Sequence, residues 1–60
     1  KDPAETWVRK MIAHHQGAVD MANIALSLAD DPEVKAKAQQ TITSQGKEIE
    51  ELERWLESRK

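Results

Sequence analysis

The stretch DDPE, residues 30–33, decides the fold. Asp31 reads as a helix N-cap with Pro32 at the first helical position, or Asp30 as the cap with Glu33 closing a capping box. A carboxylate there accepts from N–H groups that have no helical partner, and proline loses nothing because its missing N–H had none. The same device opens the chain. In DPAE, residues 2–5, Asp2 caps, Pro3 is first in the helix and Glu5 is third. No other strong breaker interrupts the sequence. The reading is one helix over about residues 3–29, a turn at about 30–31 and a second helix over about 32–58. Each helix is roughly 40 Å long at 1.5 Å per residue. So short a link folds the second helix back on the first as an antiparallel hairpin.

Working outward from the turn, the first helix carries two adjacent stripes. Trp7, Met11, His14, Ala18, Met21, Ala25 and Leu28 form one; Val8, Ile12, His15, Val19, Ala22, Leu26 and Ala29 form the other. Both alternate steps of four and three, which is heptad spacing. One stripe satisfies a two-helix seam, and two make a face wider than a single partner helix can cover. The second helix offers Ala38, Ile42, Gln45, Ile49, Leu52 and Leu56, flanked by Val34 and Trp55. Its outer faces, including the run EIEELE, read as solvated. Each large apolar side chain left wet forgoes about 1.5–3 kcal/mol. The expected architecture is therefore all-α, a hairpin that dimerises into a four-helix bundle or meets a second hairpin in a longer parent chain.

Composition excludes several classes. The chain has 60 residues and no cysteine, so disulfide frameworks and thiolate metal sites are out. Nine basic against eleven acidic residues give a net charge of −2, with the basic ones scattered. No basic stripe for nucleic acid or an anionic membrane results. No apolar run approaches the roughly 20 residues that membrane insertion requires. The chain opens on Lys1, so the expectation is a processed chain or a piece of a longer one.

The segment RKMIAHHQGAVDMA, residues 9–22, holds the chemistry. Neighbouring helical residues point about 100° apart, so His14 and His15 do not chelate one ion from one helix. One is expected to face the second helix and the other a partner subunit. Met11 stands three residues before His14 and four before His15, and either pair can meet on one face. Met21 lies seven beyond His14, about 10.5 Å along the axis. It joins an ion near Met11 only if two copies of the helix cross antiparallel near Gln16. Thioether and imidazole without thiolate suit copper(I), and by extension silver(I). The zinc motif HExxH is absent, as is the Glu-x-x-His of di-iron bundles, because Met11 and Ile12 precede the histidines by three. Asp20 and Glu48 complete no such set.

Both glycines fall at the histidine level. Each costs roughly 0.5–1 kcal/mol inside a helix, so Gly17 and Gly46 are expected to give clearance for close helix approach or for a ligand. Trp7 and Trp55, nearly level, are expected to plug the open end of the hairpin. The competing reading is plain packing. A histidine on an apolar face ordinarily makes one hydrogen bond, here with Gln45, Glu48 or a backbone carbonyl, and methionines fill gaps. Gln45 then fixes register.

The segment MIAHHQGAVDMA also resembles a bacterial family known as domain-of-unknown-function family 305, whose hallmark is Met-x-x-His-His-x-x-Ala-x-x-Met-Ala. Met11, His14, His15, Ala18, Met21 and Ala22 match it position by position. The second helix resembles the family's too, down to Gln45, Ile49 and Trp55. The resemblance implies a ferritin-like helical bundle and an exported or periplasmic location. It links some members to copper or silver binding and copper tolerance, with Met11, His14, His15 and Met21 as the carried-over ligands. Family members are often longer and can carry the motif twice; here it stands once.

The sequence thus points to a homodimeric domain that sequesters or passes on copper(I) or silver(I). Met11 and one or both histidines are its ligands, and Met21 comes from a neighbouring chain. No catalytic constellation is visible. The rival is a structural or protein-interaction module whose wide apolar face recruits a partner. A ferritin-like oxidoreductase is disfavoured by the missing Glu-x-x-His.

Overall fold

The computed structural model describes residues 2–59, and they form two helices. α1 spans Pro3–Leu28 and α2 spans Pro32–Ser58, packed as a hairpin with no strand among the described residues. Both proline caps form. The Asp2 carboxylate accepts from the Ala4 amide at 3.0 Å, and Asp31 from the Glu33 amide at 2.8 Å. Asp31 lies immediately before proline, where the helical conformation is disfavoured, and it is extended at φ −73°, ψ 118°. Ala29 is extended too, at φ −75°, ψ 140°, so α1 closes at Leu28 and residues 29–31 make the turn. Neither helix is long and apolar enough to cross a membrane.

The hairpin covers one of the two α1 stripes more fully than the other. Val8, His15 and Ala22 are buried, with Ile12, Val19, Leu26 and Ala29 half-buried beside them. Across the seam, α2 buries Ala38 and half-buries Ile42, Gln45, Ile49, Leu52 and Leu56. The other stripe is divided: Trp7 is 58% exposed, Met21 70% and Leu28 76%, with His14 exposed too, while Met11, Ala18 and Ala25 are half-buried. Among the described residues no side chain falls below 2% exposure, so the core is thin.

The shape follows from two long rods and little else, 44 × 16 × 12 Å along its principal axes. The molecule exposes 4678 Å². Size scaling gives about 4000 Å² for a compact monomer of 6.8 kDa, so about 700 Å² of extra surface is left uncovered.

Two expectations need correction here. The tryptophans do not plug the open end. Trp7 stays 58% exposed, and it and the half-buried Trp55 line an open groove with Val8 and Leu52 without filling it. The end is tied instead by Arg59, which lies over the Trp55 ring at 4.5 Å and pairs with the Asp2 carboxylate. Nor do the glycines bring the helices together. A Cβ added at Gly17 or at Gly46 would meet nothing within 4 Å, so neither gives clearance inside the hairpin.

Candidate functional site

The two histidines part company at the middle of α1. His15 turns inward and is 7% exposed. Its Nε2 lies 2.6 Å from Oε1 of Glu48, which reaches across from α2. The Glu48 side chain is about half-exposed, so its carboxylate is partly hydrated while the ring is not. An ionised carboxylate only accepts, so Nε2–H is the donor of this bond. The other nitrogen, Nδ1, is shielded from solvent and meets no hydrogen-bonding group of the protein. A buried polar atom left so is unfavourable by about 1–3 kcal/mol, and native interiors contain few of them.

His14 projects on the exposed face. Its ring stands 6.2 Å from that of His15, centroid to centroid, at 65° between planes. The pair is edge-to-face and divided between two faces, as a 100° step requires. Met11 is half-buried between those faces, one turn before the histidines. Met21 lies outside with His14, and both line a shallow apolar hollow with Ala13, Gly17 and Ala18. Gly17 and Ala18, lacking bulk, leave this hollow open. Clearance therefore exists on the outer side of α1, not at the seam.

The four sequence-derived ligands are thus split. His15 is inside, Met11 at the border, His14 and Met21 outside. Among the described residues no three His, Cys, Asp or Glu side chains converge on a point that could hold a metal ion. A centre of three or more carboxylates and imidazoles is therefore not assembled among the described residues of one chain. Of the three partners open to a core histidine, Gln45, Glu48 or a backbone carbonyl, it is Glu48 that holds His15. Counting outward from the turn sets Gly46 opposite His15, but the long Glu48 side chain spans the two-residue offset.

A family model described as Domain of unknown function (DUF305) matches residues 5–60, and the chain belongs to that family. No curated protein and no solved structure matches the chain.

Proposed function

We propose that this DUF305 chain is a soft-metal binding domain, taking copper(I) or silver(I) for sequestration or transfer. The observation that carries the reading is the state of His15. A buried imidazole is fixed through one nitrogen while the other has no protein partner, one helical turn from a thioether. Thioether and neutral imidazole together match soft monovalent ions, and the absence of cysteine leaves methionine as the only soft donor. Met11 and His15 are the ligands nearest the core, and His14 and Met21 the outer ones. The role proposed is binding and not catalysis. A periplasmic or secreted location fits the same reading, since methionine keeps its ligand character where thiols oxidise.

A homodimer completes the proposal. What supports it is the exposed apolar row of Trp7, Met21 and Leu28, which the hairpin itself leaves uncovered. Antiparallel crossing of two α1 helices near Gln16 would bring Met11 of one chain level with Met21 of the other. The exposed row of Trp7, Met21 and Leu28 also favours a second reading, a dimerisation module that takes no metal.

A silver(I) competition titration separates the two, with native mass spectrometry to count subunits. Wild type is expected to hold the ion as a dimer, and a Met11→Leu, Met21→Leu double variant to bind at least about tenfold more weakly. Dimers with no affinity for silver(I) or copper(I) would leave the module reading. Undiminished binding by the variant would move the site off the methionines.

A further inference from the structure

We infer that Glu48 is a positioning residue for His15: its carboxylate fixes the ring as the Nε2–H form and so makes Nδ1 the nitrogen that meets the ion. This rests on the metal-binding reading above and deepens it. The bond between Nε2 and Oε1, at 2.6 Å, puts the ring proton on Nε2, because the carboxylate has none to give. In the neutral ring Nδ1 is then a bare lone pair. It is buried and without a protein partner, although the rest of the ring is held.

Metal-bound imidazoles commonly hand their second N–H to a carboxylate, which sets the tautomer and strengthens the ring as a donor. Here that carboxylate is already in place on the other helix. Nε2 is engaged by it, so it is not the donor atom. Side chains on a helix lean toward its N-terminus, so the His15 ring covers the turn that carries Met11. Nδ1 and the Met11 sulfur are thereby the two donors that a single chain can offer on its inner side. The hairpin is what joins them to Glu48, since the carboxylate comes from α2 and the donors from α1. A chain with the motif intact but α2 displaced would lose the tautomer, not the ligands.

Ring nitrogens of ¹⁵N-labelled protein test this, at about pH 8.5, some two units above an unperturbed imidazole. In the metal-free wild type, His15 is expected to show a protonated Nε2 and an unprotonated Nδ1. Adding silver(I) should move Nδ1 and leave Nε2 protonated. Glu48→Leu should weaken silver(I) binding about 10–100-fold and release the Nε2 proton to fast exchange, with helicity kept by circular dichroism. Should that variant fail to fold, the wild-type spectra decide alone. A metal-free ring protonated at Nδ1, or a silver(I) shift confined to Nε2, overturns the inference while leaving metal binding intact. Wild type with the expected tautomer but no affinity for silver(I) overturns the metal reading, and the donor assignment with it.

Discussion

Residues 7, 14, 21 and 28 and residues 8, 15 and 22 run side by side along α1, one position apart, each recurring every seven residues. The second row is buried against α2, and the first is exposed throughout. Their spacing is identical, so periodicity does not explain the difference. Bulk does in part. Val8 and Ala22 let a neighbouring helix come close, and Ala38 answers them from α2. Trp7, Met21 and Leu28 are larger, and a hairpin has only one neighbouring helix to offer. Heptad spacing announces that a face will be covered. It does not say whether the cover is in the same chain. Each row also contains one histidine, and the same division makes His15 a held, buried ring and His14 a free one.

The strongest way to break this comparison is a charge placed at adjacent positions, one in each row. Ala22→Asp buries an unpaired carboxylate at the seam and is expected to cost about 3 kcal/mol or more, enough to unfold so thin a core. Met21→Asp should change hairpin stability by no more than about 0.5 kcal/mol, as surface substitutions do. On the proposed dimer, its effect should appear in sedimentation, as a loss of that association. Thermal unfolding by circular dichroism reads the first and ultracentrifugation the second. Equal loss of helix in both variants would mean that the two rows are equally buried in solution.

The histidines give the next contrast. His15→Leu removes an orphaned Nδ1 together with the bond to Glu48, and these oppose each other. The Glu48 carboxylate left behind is about half-exposed and rehydrates, so no buried group loses its partner. Stability is expected to stay the same or rise by up to about 1 kcal/mol, while silver(I) binding falls. His14→Leu should leave stability within about 0.5 kcal/mol. A loss above about 2 kcal/mol for His15→Leu, measured by urea unfolding, would make the His15–Glu48 pair a structural element and favour the module reading.

Most of the hairpin was legible because its signals are local. Asp2–Pro3 and Asp31–Pro32 mark both helix starts, and both carboxylates accept from the amides a cap must satisfy. The division of His14 from His15 follows from 3.6 residues per turn and needed no tertiary knowledge. What needed the structure was which row faces α2, since two rows of equal spacing are indistinguishable until a partner helix chooses one. Glu48 was legible only as one of three possible partners, because a long side chain is not bound to the residue level with it. Trp7 and Trp55 do border one groove near the same level, but Trp7 stays exposed, because level along the axis does not say how deeply a side chain is covered. Nothing in the chain alone distinguishes a glycine kept for a neighbouring helix from one kept for an open surface.

That last ambiguity yields the smallest predicted effect. Neither glycine is in contact at its missing Cβ, so Gly17→Ala and Gly46→Ala should each stabilise the hairpin by about 0.5–1 kcal/mol through helix propensity. Gly17, however, lines the outer hollow beside His14 and Met21. If that hollow receives a second chain or an ion, Gly17→Ala should weaken dimerisation or silver(I) binding even as the helix gains. Gly46, off the hollow, should show the gain alone. Thermal melts and silver(I) titrations of the two variants therefore separate the faces a third time. Identical behaviour at both positions would show that the outer hollow is unused, and that the exposed row owes its bulk to something other than this site.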